Sequence, residues 1–155
     1  MLPDGDHDFS RSVVIEASPE RVWRALTEPA ELKQWMAEPS VGVEIETTWQ
    51  VGSPILVTGF HVARFVNRGV IHRFEPPRRL SYTHLSSLSK LPDVPSSHAL
   101  FDFLLEAHGS ETLLTVEVSN CVNPSIFKHL EFYWNGTVGV LKRFIEADGR
   151  GLNLT

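Results

Sequence analysis

The hydrophobic residues of the last long segment, Ser125 to Asp148, recur at steps of three and four. The apolar positions in this segment are Ile126, Leu130, Trp134, Val138, Leu141 and Ile145. This spacing predicts a helix of about six turns with a single apolar stripe. The chain between Val41 and Ser119 instead predicts short strands, so we expect the helix to lay its stripe on one face of a sheet.

The N-terminal part of the chain predicts one strand followed by two short helices. The strand is expected at Arg11 to Glu16. In the sequence that follows, Ser18 is a helix N-cap and Pro19 occupies the first helical position. Pro29 should end that helix and open a second short one.

About six further strands are expected before the long helix. The segments are Val41–Trp49, Ile55–Thr58, Val70–Glu75, Leu80–Leu85, Ala99–Ala107 and Glu111–Ser119, with Gly59–Phe65 ambiguous between strand and loop. Turn signals lie at 51–54, 67–69, 76–79 and 108–110, and an exposed loop is expected at 86–97. Short turns between successive strands favour an antiparallel meander. The sequence therefore predicts an α+β helix-grip fold, in which a curved antiparallel sheet wraps around a long C-terminal helix.

The chain is expected to form one domain. Its 155 residues are enough for one sizeable core. We predict a disordered tail at residues 1–10, a single domain at 11–148 and a C-terminal tail at 149–155.

Strand alternation predicts which side chains face the helix. Phe101 and Phe103 share one face of their strand, away from Asp102. On the strand from Val70, the set Val70, His72 and Phe74 is the more apolar one and is placed inside. If the chain reverses at Arg78, Phe74 lies opposite Tyr82, and His72 lies opposite His84.

A curved sheet closed by a helix predicts a cavity with an aromatic lining and few polar groups. Trp35 and Trp49 are expected near the cavity mouth, with plain core packing as the alternative. The predicted ligand-binding residues are Trp35, Trp49, His72, Phe74, Tyr82, His84, Phe101, Phe103, Val116, Leu130, Trp134 and Val138.

Two histidines facing each other admit several chemical interpretations. His72 and His84 are candidates for acid–base catalysis, because histidine titrates near neutral pH. The alternative, which we favour, is that they are hydrogen-bonded groups that orient a ligand. A catalytic zinc would need a third protein ligand, which the inward faces do not offer. We therefore expect no metal and no cofactor, and assign no catalytic residue.

Composition narrows the possible partners and the compartment. A net charge of -5 argues against a nucleic-acid partner. No apolar run is long enough to span a bilayer, and the start lacks the features of a signal region, so no membrane partner is expected. The single cysteine, Cys121, is typical of a reducing compartment, and we expect a cytoplasmic protein.

Four segments in order resemble a known family: Ala17–Trp23 with Leu26–Pro29, Trp49–Pro54, Gly69–Tyr82 and Tyr133–Lys142. The chain resembles the START-related SRPBCC superfamily. Its nearest branch is that of the C-terminal domain of the activator of the ninety-kilodalton heat-shock protein's ATPase. The superfamily includes lipid carriers, hormone receptors, polyketide cyclases and aromatases.

The resemblance implies the helix-grip fold and a pocket, and several functions follow from it. We expect non-catalytic binding of a small hydrophobic molecule. The alternatives are a cyclase-like or dehydratase-like enzyme that uses His72, His84 or Tyr82, and a stress-related protein-interaction module. A homodimer through an edge strand or through the loop at 86–97 is a further expectation.

Overall fold

The computed structural model of the chain describes residues 8–153. These residues form three α-helices and one seven-stranded antiparallel sheet in the order β1-β7-β6-β5-β4-β3-β2. The helices are α1 (Pro19–Thr27), α2 (Pro29–Trp35) and α3 (Pro124–Asn153). The strands are β1 (Phe9–Ile15), β2 (Glu44–Thr47), β3 (Pro54–His61), β4 (Ala63–Glu75), β5 (Arg79–Ser86), β6 (Ala99–His108) and β7 (Glu111–Ser119). The predicted helix-grip α+β fold is confirmed.

Local signals position the helices as predicted at their N-termini. The backbone N–H of Arg21 donates to the Ser18 hydroxyl at 3.2 Å, which caps α1. The start of α3 has a cap that the sequence analysis did not identify, since the Ile126 N–H donates to the Asn123 side chain at 2.9 Å. None of the described helices combines the length and hydrophobicity needed to cross a membrane.

Regular structure extends further at both ends than predicted. β1 begins at Phe9, and the Asp8 carboxylate accepts a hydrogen bond from the Asn120 N–H at 3.1 Å. Residues 149–153, predicted as a tail, continue α3. Residues 1–7 and 154–155, also predicted as tails, lie outside the described residues.

The predicted turn at 67–69 is wrong, because these residues lie inside the long strand β4. The β3–β4 hairpin instead reverses at Val62, which has a φ of 63°. Gly69 marks a close approach between strands, since a Cβ at this position would lie 1.8 Å from the backbone oxygen of Thr83. A glycine within a strand is typical of such close contacts, and this one misled the turn prediction.

The predicted pairing of β4 with β5 is also wrong. Ile71 lies opposite Tyr82 and Phe74 opposite Leu80, with a register shift between Ile71 and Arg73. A β-bulge adds one residue to one strand and exchanges the faces of the residues that follow. The bulge therefore places both Ile71 and Phe74 on the inner face. His72 is exposed, and its predicted pairing with His84 does not form.

Both edges of the sheet are protected. On β1, the Lys142 ammonium of α3 donates to the Val14 carbonyl at 2.7 Å. The Glu16 N–H of the same edge donates to the Glu146 carboxylate at 2.8 Å. At the opposite edge, β2 is four residues long and carries the exposed Glu44. Short, charged or covered edges disfavour strand addition, so neither edge is a ready surface for a strand-paired homodimer.

Candidate functional site

The inner face of the sheet and α3 meet in a group of aromatic rings, which we call the Trp134 cluster: Trp35, Tyr82, Phe101, Phe103 and Trp134. Trp134 is only 1% exposed. Its ring lies edge-on to Phe101 and Phe103, with centroids 5.6 Å away in each case. Tyr82 packs on the same two phenylalanines at 5.8 and 5.7 Å, and Trp35 lies 6.4 Å from Trp134. The rings thus occupy the region where the sequence predicted an open cavity.

Strand alternation and the helical stripe bring the cluster together. Phe101 and Phe103 alternate with Asp102 on β6, and cross-strand pairing sets Tyr82 directly opposite Phe101. Trp134 lies in the middle of the α3 stripe, between Leu130 and Leu141, which are both buried. The burial expected for these residues from their periodicity is confirmed.

The two buried indoles of the cluster differ in their hydrogen bonding. The Trp35 Nε1–H donates to the Ala25 carbonyl at 2.9 Å, which makes Trp35 a satisfied core residue. The Trp134 Nε1–H is buried and has no hydrogen-bond partner among the described residues. A buried donor without an acceptor costs about 1–3 kcal/mol, so such groups are uncommon and call for an explanation.

His84 lies at one end of the Trp134 cluster. Its ring stacks on Phe101 with centroids 4.7 Å apart and an interplanar angle of 20°. Burial lowers the pKa of His84 to about 4, with smaller contributions from His129 and His98. His84 is therefore neutral at pH 7 and has a ring nitrogen available as an acceptor.

His98, beside His84, is a second histidine with an unpartnered atom. Its Nε2 lies 2.8 Å from the Asp93 carboxylate, whereas its Nδ1 is buried without a partner within the described part of the chain. His98 and His129 were not among the predicted site residues, because the fold rather than sequence spacing brings them near His84. Across residues 8–147, no group of three or more metal-ligating side chains is assembled.

Tyrosines supply the other buried hydroxyl groups of the region. Burial raises the pKa of both Tyr82 and Tyr133 far above the ordinary value, so both phenols stay protonated. The Tyr133 hydroxyl donates to the Met36 carbonyl at 2.7 Å and ties α3 to the end of α2. Tyr82 contacts Phe101 and Phe103, and no hydrogen bond joins its hydroxyl to another described residue. Sequence analysis missed Tyr133, since it lies beside the stripe rather than in it.

The remaining predicted site residues fall into three groups. Val116 is fully buried opposite Phe103, Leu130 is buried, and Val138 is half-buried against the same core. Trp49 and Phe74 form a separate contact, stacked at 5.8 Å, with Trp23 packing on Phe74 at 5.3 Å. His72 lies apart from both sets, exposed at the bulge of β4.

The outer face of the sheet contains a recess with a volume of about 730 Å³. Its wall includes a bidentate ion pair, in which the Arg79 guanidinium donates two hydrogen bonds to the Asp102 carboxylate, at 3.0 and 2.6 Å. The lining includes Val51, Val70, His72, Arg73, Ser81, Leu100 and Asp102. The bulge that exchanges the faces of β4 therefore moves His72 from the predicted interior to this outer recess.

A curved antiparallel sheet gripping a long helix defines the SRPBCC-type class of proteins. The sequence profile of the family "Activator of Hsp90 ATPase homolog 1-like protein" matches residues 16–146. The chain therefore belongs to this family. The resemblance expected from the four sequence segments is thereby confirmed.

Several solved structures are similar to this chain. A protein from Cytophaga hutchinsonii, solved in solution, is 28% identical with a TM-score of 0.75, and the match covers 92% of this chain and 96% of that one. A protein described as the Aha1 dimer from Colwellia psychrerythraea is 22% identical with a TM-score of 0.71, covering 90% and 96%. CalU16 from Micromonospora echinospora is 21% identical with a TM-score of 0.69, covering 92% and 78%. No curated protein matches the sequence.

Proposed function

We propose that this protein binds a small, largely apolar aromatic ligand that carries a hydrogen-bond acceptor. The ligand inserts between the inner face of the sheet and α3 by displacing rings of the Trp134 cluster, which fill this space in the described structure. The observation that carries this proposal is the buried Trp134 Nε1–H, a donor without an acceptor in the described structure. A ligand carbonyl or ether oxygen would satisfy this donor and recover the free energy that its isolation costs.

The neighbouring groups support recognition of a neutral ligand. Tyr82 keeps its proton, because burial raises its pKa, and His84 is neutral, because burial lowers its pKa to about 4. A charged ligand would meet no opposite charge among these groups and would lose its hydration. The aromatic rings offer stacking and edge contacts to a planar molecule.

The same geometry disfavours the acid–base enzyme that the sequence left open. A pair formed by His72 and His84 would need both side chains on one face, whereas His72 is exposed at the β4 bulge. His84 by itself has a lowered pKa, so it is a weak base at neutral pH. Non-catalytic binding is the simpler role for a neutral, unpartnered set of polar groups.

Paired ketones and hydrocarbons test the proposal directly. Binding of 1-acetonaphthone and 9-fluorenone is measured by tryptophan fluorescence and compared with that of 1-ethylnaphthalene and fluorene, which have similar shapes without a carbonyl. We expect the ketones to bind about tenfold more tightly, the effect of one buried hydrogen bond. Trp134→Phe keeps an aromatic ring but removes the N–H, and should abolish this preference.

Trp23→Phe is the matched control, because it removes an indole from the separate contact with Phe74. The tenfold ketone preference should survive in this variant. Absence of saturable binding by all four compounds, or an unchanged preference in Trp134→Phe, would contradict the proposal. Native mass spectrometry of freshly purified protein is an independent check, since a bound molecule would add mass to the chain.

A further inference from the structure

The charges of this chain are distributed very unevenly along its sequence. The net charge is -5, yet residues 47–92 contain six arginines and lysines and a single acidic residue, Glu75. This segment contains strands β3, β4 and β5, which are neighbours in the sheet. These three neighbouring strands are therefore basic within an acidic protein, although the adjacent β2 carries the exposed Glu44. A charge asymmetry of this kind indicates an anionic partner.

The β3–β4 hairpin extends beyond its neighbouring strands. β2 pairs with β3 only as far as Thr58, and β5 pairs with β4 only from Asn67 onward. The hairpin tip, residues 59–66, projects past both. Its two exposed large apolar side chains are Phe60, which is 60% exposed, and Val62, which is 91% exposed.

The backbone at the hairpin tip is strained. Val62 has a φ of 63°, in the left-handed region that a β-branched residue rarely adopts. Asparagine or glycine would relieve this strain, and either would also remove an apolar side chain from solvent. The chain instead has a valine at this position, with 91% of the residue exposed.

Basic side chains surround the apolar tip. Arg64 lies directly opposite Phe60, and Arg68 follows on the same face of β4. A short 3₁₀ turn at Ser87–Ser89 lies beside the hairpin, since the Val66 N–H donates to the Ser87 hydroxyl at 2.9 Å. This turn adds the exposed Leu88 and, at its end, Lys90. Within the described structure, Arg64, Arg68 and Lys90 are exposed and form no ion pair.

We propose that the hairpin tip docks peripherally on an anionic lipid surface. Phe60, Val62 and Leu88 enter the interfacial region, and the three cations contact lipid phosphates and carboxylates. The apolar residues protrude from a convex tip, which suits a deformable bilayer better than the shaped surface of a folded acidic protein. Apolar insertion combined with basic residues is the usual basis of reversible binding to membrane surfaces.

The anionic lipid surface would bind at the hairpin tip, whereas the aromatic ligand would bind at the Trp134 cluster, so neither proposal depends on the other. The net charge of -5, which argues against a nucleic-acid partner, is an average over the whole chain and does not describe this segment. The absence of a membrane-spanning helix in the described residues bears on insertion across a bilayer, not on docking at its surface.

Vesicle flotation tests the proposal. The full chain is mixed with vesicles of phosphatidylcholine alone or with about a third phosphatidylserine. Each exposed cation should raise the partition coefficient onto anionic vesicles about fivefold. Three cations therefore predict a partition coefficient roughly a hundredfold higher for the phosphatidylserine vesicles than for phosphatidylcholine alone. Raising the salt concentration should remove most of this preference.

Two double variants separate the contributions. Arg64→Gln with Arg68→Gln should weaken binding to phosphatidylserine vesicles about 25-fold, with little effect on phosphatidylcholine. Phe60→Ser with Val62→Ser should weaken binding to the anionic vesicles about tenfold or more. Circular dichroism and thermal melting establish that each variant is folded.

Helix α3 offers matched controls on another part of the molecule. Phe132 is 82% exposed, and Phe132→Ser removes an equivalent phenylalanine. Lys128→Gln with Arg143→Gln removes two exposed cations. Neither control should change vesicle binding. Absence of phosphatidylserine-dependent binding, as expected if the partner is an acidic protein, would overturn the proposal, as would equal losses in the hairpin and control variants.

Discussion

Replacing Gly69 by alanine is expected to destabilise the protein strongly. The added Cβ would lie 1.8 Å from the Thr83 carbonyl oxygen and 2.7 Å from its carbonyl carbon. These are backbone atoms of the adjacent strand, so no side-chain rotation can relieve the clash. To bring the closest contact to 3.0 Å, β4 and β5 must separate locally by about 1.2 Å.

The cost follows from this separation. Overpacking by one methyl group costs about 1–3 kcal/mol where neighbours can adjust, and more where they cannot. The separation also disturbs the hydrogen bond that the Val70 N–H donates to the Thr83 hydroxyl, which is 2.9 Å long in the wild type. Such a hydrogen bond contributes about 1 kcal/mol to stability. We therefore expect the free energy of unfolding to fall by about 4 kcal/mol and the Tm by roughly 10 °C.

Gly136→Ala is the matched control for this prediction. Gly136 is exposed in the middle of α3, and nothing lies within 4 Å of the position that its Cβ would occupy. Alanine there should raise the free energy of unfolding by about 0.5–1 kcal/mol, because it favours the helical backbone. Urea unfolding monitored by circular dichroism measures both variants. A change below about 1 kcal/mol in Gly69→Ala would refute the close-approach argument.

Three further predictions follow from single side chains. His84 has a lowered folded pKa of about 4, so its contribution to stability is present above the unfolded value near 6.5 and is lost as the pH falls toward 4. Between pH 7 and pH 4, the free energy of unfolding of the wild type should fall by up to about 3 kcal/mol more than that of His84→Gln, as measured by urea unfolding. A difference between the two proteins that stays the same at both pH values would contradict this prediction. Asp102→Asn removes the charge of Asp102 and one of the two acceptors for Arg79, and should cost about 1–3 kcal/mol of unfolding free energy. Glu75→Gln, in a more exposed pair, should cost less than about 0.5 kcal/mol, and equal losses in the two variants would contradict the protected character of the first pair. Ser18→Ala should lower the free energy of unfolding by about 1 kcal/mol through loss of the α1 cap, and a Tm unchanged from that of the wild type would show that the cap is dispensable.

Features encoded by neighbouring residues were predictable from the sequence. Ser18 and Pro19 determine where α1 begins, because a cap needs only the local backbone and one side chain. The stripe through Trp134 follows from the period of the helix, and the inward set Phe101 and Phe103 follows from the period of the strand. These periodicities led to the helix-grip fold and to the main aromatic residues of the candidate site.

Features that depend on register were decided by the tertiary structure. One extra residue in the bulge after Ile71 placed Phe74 inside and His72 outside, and the sequence pattern alone does not show where such a residue is inserted. Gly69 resembled a turn residue because its close neighbour, Thr83, is distant in sequence.

The chemical character of the candidate site was likewise determined only on folding. The isolated Trp134 N–H and the lowered pKa of His84 both result from burial among side chains that separate strands and helices contribute. The protruding tip at Val62 exists because neighbouring strands on either side of the hairpin end before it does. The sequence by itself determined which elements form and which faces they bury, because both depend on local periodicity. The tertiary structure decided which polar atoms lose their partners and which apolar ones reach solvent, because those outcomes depend on contacts between residues far apart in the chain.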